Sequence, residues 1–133
     1  MNDIVVVDTD VVSFMFKRDT RAAIYDQLTG GKKLAISFAT LAELDGWAIS
    51  RRWGPAKQTR LEEHVRLYYA VYFPNRSLCR WWAIATWRAE RNGRPIGKHD
   101  AWIAATALSL DVPLVTNNPK DYGGVDGLEV LSA

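Results

Sequence analysis

The sequence predicts an α/β fold: a central, mainly parallel sheet of about four or five short strands, flanked by helices on both faces. Short β-branched runs alternate with longer segments of helical periodicity, and parallel strands need such long crossovers. The first run, residues 4–7, is Ile-Val-Val-Val with no polar alternation, so it reads as a strand buried on both sides. The chain has 133 residues, 48% apolar and 24% charged. That is enough to bury one core without disulfide or metal staples, and too apolar and charge-balanced for disorder. Residues 1–133 are therefore read as one domain. No apolar run approaches the roughly 20 residues of a membrane helix. The single cysteine, Cys79, excludes an internal disulfide framework, and Met1-Asn2-Asp3 opens without a secretory signal, so a cytoplasmic protein is expected.

The elements follow in order. Strand 4–7 stops at Asp8-Thr9-Asp10, where Asp10 or Thr9 can cap the next helix. Helical pattern covers 11–16 and 21–28, and Gly30-Gly31 punctuates it. Residues 33–38 alternate around Leu34, Ile36 and Phe38 and read as a second strand. Leu41, Leu44 and Ala48 recur at helical spacing over 40–53, and Gly54-Pro55 ends that helix and starts another. The latter runs to about residue 73, with Leu61, Val65 and Tyr69 on one face and Pro74 as its stop. Ser77 is the expected N-cap of a helix to residue 92, followed by Gly93 in a left-handed cap. An alanine-rich helix over 100–110, a strand over 112–116, a loop over 117–124 and a last strand near 128–131 complete the chain.

Six tryptophans stand at 47, 53, 81, 82, 87 and 102. An aromatic on a helix is usually core or interface. Trp81 and Trp82 differ, because adjacent helical positions point about 100° apart and both are buried only under cover over a wide arc. A homodimer contact or another bound partner would supply it.

The acids carry the chemistry. Asp8 follows the first strand, Glu43 falls in the first turn of the helix after the second, and Asp100 opens the helix leading to the third. In a parallel sheet these positions share one edge, outside the carboxyl ends of the strands, where open α/β proteins bind ligands. Converging carboxylates repel in a desolvated cleft and need a compensating cation; oxygen donors point to Mg²⁺ or Mn²⁺. Taken singly, Glu43 fits a Thr40-x-x-Glu capping box and Asp100 a helix cap. The joint pattern favours a site, and Thr116, Asn117, Asn118 and Asp121 add a fourth junction.

These segments resemble the PIN-domain ribonucleases of the VapC toxin type. The match runs in order through the strand with Asp8-Thr-Asp, Ala39-Thr-Leu-Ala-Glu-Leu44, the stretch Arg94-Pro-Ile-Gly-Lys-His-Asp-Ala-Trp-Ile-Ala-Ala-Thr-Ala107, and Leu114-Val-Thr-Asn-Asn-Pro-Lys-Asp-Tyr122. The resemblance implies a PIN-like domain with Asp8, Glu43 and Asp100 as the metal-binding acids, and Asn118 and Asp121 completing the catalytic set. Many members carry an aspartate where this chain has Asn118, which removes one negative charge and favours one firmly held Mg²⁺ over two. Thr9 and Thr116 are placed to orient a carboxylate through their hydroxyls. The implied activity is RNA hydrolysis leaving a 5′-phosphate and a 3′-hydroxyl, with Glu43 as a ligand through water or as the base. A VapB-type antitoxin as inhibitor and a homodimer are implied with it.

Other readings stay open from the residues. Val5-Val-Val-Asp8-Thr-Asp10 also fits the first motif of haloacid-dehalogenase-like phosphohydrolases, with Asp8 as nucleophile, although their late paired aspartates are missing. A receiver-domain binding module, or a PIN fold with weak catalysis given Asn118, are the alternatives outside enzymology. His64 and His99 are expected at the surface, and Cys79 as a small helix filler.

The net charge of +2 conceals a partition. From Arg51 to Lys98 eleven Lys+Arg face three acids, a local charge of +8, whereas the remainder carries −6. The acids concentrate where a metal must sit, and the middle helices supply a positive field for an RNA backbone. Arg51, Arg52, Arg80, Arg94 and Lys98 are the leading candidates.

Overall fold

In the computed structural model, which describes residues 3–133, five parallel strands form one sheet in the order β3-β2-β1-β4-β5. The strands are β1 (Ile4–Val7), β2 (Lys33–Ser37), β3 (Tyr69–Tyr72), β4 (Leu114–Val115) and β5 (Val130–Leu131). The helices are α1 (Thr9–Lys17), α2 (Ala22–Thr29), α3 (Phe38–Ser50), α4 (Pro55–Tyr68), α5 (Arg76–Arg91) and α6 (Lys98–Leu110). Met1 and Asn2, read above for the lack of a secretory signal, lie outside the described residues. Among the described residues no helix is long and apolar enough to cross a membrane.

The winding explains the two layers. From β1 the chain moves outward through β2 to β3, then returns across the sheet to β4 and β5. Right-handed crossovers in opposite directions place their helices on opposite faces. Accordingly, Val5, Val7, Ile36 and Val115 join the core under α1–α4, while Val6, Ala35 and Leu114 join the one under α5 and α6. The two-residue period of the strands divides adjacent side chains between the cores. In α6, Ala101, Ile103, Ala104, Ala105 and Ala107 are all buried. Its small side chains let α6 lie close to the sheet with α5 stacked outside it.

Several boundaries differ from expectation. The helix foreseen to residue 73 stops at Tyr68, and the backbone straightens into β3 beside β2, pairing Leu34 with Tyr69. Tyr69 suits both the helical face and the strand, which is why periodicity carried the helix too far. Phe38 belongs to α3 rather than to β2, and Ser37 caps α3, its hydroxyl accepting from the Ala39 N–H at 3.0 Å. Glu43 therefore sits in the second turn and takes no part in a capping box. Asn75, not Ser77, caps α5, accepting from Leu78 N–H at 2.8 Å. Gly93 adopts the expected positive φ of 69°. α6 begins two residues before Asp100 with Gly97 at its N-cap, so Asp100 is not a cap. Asp8 caps α1 instead of Asp10 or Thr9.

The tryptophan pair is covered in part by the chain itself. Trp82 packs on Trp102 with centroids 5.4 Å apart and donates its indole N–H to the Lys98 carbonyl at 3.3 Å. His64, expected at the surface, is half-buried between Phe16 and Tyr69, and Cys79, expected as filler, is exposed.

Candidate metal centre

The order of strands reverses direction between β1 and β4, and the crevice outside their carboxyl ends is where open α/β sheets place a site. Asp8 leaves β1 there and Thr116 leaves β4. Asp8 is 7% exposed, yet three donors reach it. The Thr9 N–H donates to Oδ1 at 2.7 Å, and the Thr116 hydroxyl and the Tyr122 phenol donate to Oδ2 at 2.7 and 3.0 Å. Burial pushes the Asp8 carboxyl above the usual carboxylate range, the three donors oppose that, and the charge of Glu43 adds to it. The same Tyr122 oxygen lies 3.4 Å from Asp100 Oδ1. A phenol has one proton, so the shorter contact to Asp8 takes it and Asp100 is left with the longer leg. Burial, then the charges of Asp8 and Asp121, raise Asp100 as well.

Asp10 forms a second knot beside the first. Its Oδ1 accepts from the Val11 N–H at 2.7 Å, and its Oδ2 accepts from the Asn118 amide at 2.8 Å and the Asn117 N–H at 3.2 Å. Burial and the charge of Asp8 lift its pKa to about 6. Across the edge, Glu43 Oε1 lies 2.8 Å from His99 Nε2.

Among the described residues no three acid, histidine or cysteine side chains are gathered closely enough to hold an ion as they stand. The donor chemistry nevertheless fits a hard divalent cation. Asp8 and Asp100 share one phenol, both are raised by burial, and no lysine or arginine among the described residues pairs with either. Mg²⁺ needs only one or two carboxylates and keeps several waters, so this pair suffices as the protein's share. A cavity of about 530 Å³ lies elsewhere, at the amino ends of β2 and β3 between Met15, Leu34, His64 and Tyr69. Size therefore does not locate this site; buried charge does.

With that geometry in place, comparison with known proteins decides the family. The model of the PIN domain matches residues 5–123. The chain belongs to the PIN domain family. It is 30% identical to Ribonuclease VapC1 of Haemophilus influenzae (strain R2866) over 95% of both chains. The solved structure of VapBC-1 from nontypeable Haemophilus influenzae superposes with a TM-score of 0.79 at 30% identity, covering 97% of each chain. That of VapBC2 from Rickettsia felis, bound to a DNA fragment from their promoter, reaches 0.83 at 21% identity over 97% of this chain and 98% of the other.

On this PIN fold, Asp8 and Asp100 meet through Tyr122, and the Thr116 hydroxyl bonds Asp8. The Thr9 hydroxyl does not reach a carboxylate; it bonds the Thr40 hydroxyl at 2.9 Å, tying α1 to α3, and only the Thr9 N–H serves Asp8. Asn118 faces Asp10, and Asp121, in the 3₁₀ turn Pro119–Tyr122, is felt by Asp100. His99, expected to point to solvent, reaches Glu43. Of the basic candidates, Lys98 opens α6 two residues from Asp100, and Arg94 lies against Gly123 with its guanidinium 3.5 Å from the Lys120 carbonyl. Arg80 is exposed on α5. Arg51, over the Trp47 ring at 4.8 Å, and Arg52 follow the end of α3, roughly 12 Å along the helix from Glu43. Tyr122 and Asp10 are the site residues that sequence reasoning missed. The Tyr122 ring stood in the quoted motif, but its hydroxyl meets Asp8 across 114 positions, a pairing no local pattern signals.

Proposed function

We propose that this PIN-domain protein is a Mg²⁺-dependent endoribonuclease, the toxin of a VapBC-type pair, acting in the cytoplasm and inhibited by a VapB-type antitoxin. A single observation carries the reading. In a chain 30% identical over almost its whole length to a ribonuclease VapC1, a buried Asp8 and a half-buried Asp100 stand together at the sheet's switch point without a cation of the protein's own. Residues 1–133 then form one PIN domain, and the exposed Trp87 and its neighbours on α5 are available for a homodimer contact. The phosphohydrolase alternative loses its footing with the family assignment.

Asp8 and Asp100 would hold the ion, with Asp121 and Asn118 nearby and Thr9, Thr116 and Tyr122 keeping Asp8 in place. A hard divalent ion, when bound, supplies a water that loses its proton readily and offsets charge on the phosphoryl oxygens. Glu43 takes the proton of the attacking water at its carboxylate. Lys98 and Arg94 near the acids, and Arg80, Arg51 and Arg52 further out, attract the RNA backbone. Hydrolysis leaves a 5′-phosphate and a 3′-hydroxyl.

The deciding experiment is mapping RNA 5′ ends after induced expression of wild type and Asp8→Asn, with cleavage by the purified proteins assayed in Mg²⁺, Mn²⁺ and EDTA. New 5′ ends with wild type only, and activity lost in EDTA, are expected. Metal-dependent cleavage by a clean Asp8→Asn preparation would refute the assignment.

A further inference from the structure

We infer that His99 is a positioning residue that holds Glu43 back from the acid pair, so that Glu43 serves a bound ion through water and not as a direct ligand. The inference rests on the metal-nuclease reading above. His99 and Asp100 are successive residues of α6, yet Asp100 meets Tyr122 while His99 bonds Glu43 on α3, and among the described residues Glu43 is not gathered with Asp8 and Asp100 into one cluster. An ionised carboxylate has no proton to give, so His99 Nε2 carries the hydrogen and donates it. The contact holds in either charge state of the ring. It occupies Oε1 and leaves Oε2 as the free oxygen of Glu43.

The alternative is an ordinary surface pair. The side chains of His99 and Glu43 are 43% and 33% exposed, and pairs of that kind add little to fold stability. Its effect on geometry is larger. Glu43 has three rotatable bonds and stands in the second turn of α3, close enough for its charge to act on Asp8. An untethered Glu43 would be drawn onto a cation between Asp8 and Asp100. Direct ligation uses the oxygen that otherwise accepts a proton, so a site with three carboxylates on the ion binds it more tightly and turns over more slowly.

The test uses the whole protein with Mn²⁺ as the probe. Calorimetry gives the dissociation constant, water-proton relaxation counts the waters on the ion, and cleavage of a fluorescent RNA gives kcat and KM. For His99→Ala we expect Mn²⁺ to bind about three- to tenfold more tightly with one water fewer, and kcat to fall about tenfold at unchanged KM and melting temperature. His99→Gln, which keeps a donor at similar reach, restores most of kcat. In Glu43→Gln the water count stays at the wild-type value, and adding His99→Ala to it changes nothing more. Weaker or unchanged Mn²⁺ binding in His99→Ala, or an extra water in Glu43→Gln, overturns the inference. If wild type binds Mn²⁺ and Asp8→Asn does not, such a failure falls on His99 alone. Failure of wild type to bind Mn²⁺ overturns the nuclease reading and this inference together.

Discussion

Tyr122→Phe removes one oxygen and leaves the ring, which is 2% exposed, in its place. The lost hydroxyl donates to Asp8 Oδ2 at 3.0 Å and is 3.4 Å from Asp100. A buried hydrogen bond to a charged acceptor is worth about 1.5–3 kcal/mol. Asp8 keeps its Thr9 and Thr116 donors, so it is not left bare and the loss should stay within that range. At this chain length it corresponds to roughly 5–11 °C in melting temperature. The sign with pH follows from linkage. The Tyr122 donor lowers the Asp8 pKa in wild type, so the variant's Asp8 is raised further. A raised acid keeps its full contribution below its unfolded value, about 3.9, and loses it as pH rises through the folded one. The deficit should be largest near pH 7 and shrink toward pH 4. Urea unfolding of the metal-free proteins at both pH values measures it. Equal stabilities at pH 7, or a deficit independent of pH, would refute the bridging role of the phenol.

Asp10, at about 6, should make metal-free protein lose stability between pH 4 and 6. Because the lowered His64 works in the opposite direction, the comparison is with Asp10→Asn, whose stability should fall less over that range; parallel curves would exclude Asp10 as the cause. Saturating Mg²⁺ should stabilise the protein more at pH 7.5 than at pH 5, since protons compete for the same oxygens; this is read from melting curves. Gly124→Ala puts a methyl 2.7 Å from the Arg94 carbonyl and 3.2 Å from the Ala89 Cα, and should cost about 1–3 kcal/mol. Gly123→Ala meets only the movable end of Arg94 and should cost less, so the order of the two melting temperatures checks the packing. RNA affinity should fall steeply between 50 and about 200 mM salt. A flat titration would contradict the electrostatic role of the basic middle segment.

How much was legible in the sequence depended on distance along the chain. The β-branched run of β1 and the alanine-rich α6 were clear, because each is hydrophobic on every side and can only be central. The acids at the strand ends were legible too, since a parallel sheet brings its carboxyl ends to one edge. β3 was hidden because Tyr69 continues the face of Leu61 and Val65, and pairing with β2, not local preference, straightens it. The caps at Ser37 and Asn75 lost to Thr40 and Ser77 in a reading that weighed only residue type. Tyr122, His99 and Asp10 are recognisable only once the sheet has folded, because their partners Asp8, Glu43 and Asn118 lie 114, 56 and 108 positions away.

Those separations bear on how the molecule is made. A chain emerging from the ribosome shows Asp8 first, but the hydroxyl of Thr116 and the phenol of Tyr122 come more than a hundred residues later. Until then Asp8 has neither of the side-chain donors that hold it, and β1 lacks one of its two neighbouring strands. Contacts this remote form late in folding. On the nuclease reading proposed above, a chain still short of Thr116 carries Asp8 without either hydroxyl and without β4 beside β1, so its site is unfinished until synthesis is almost over.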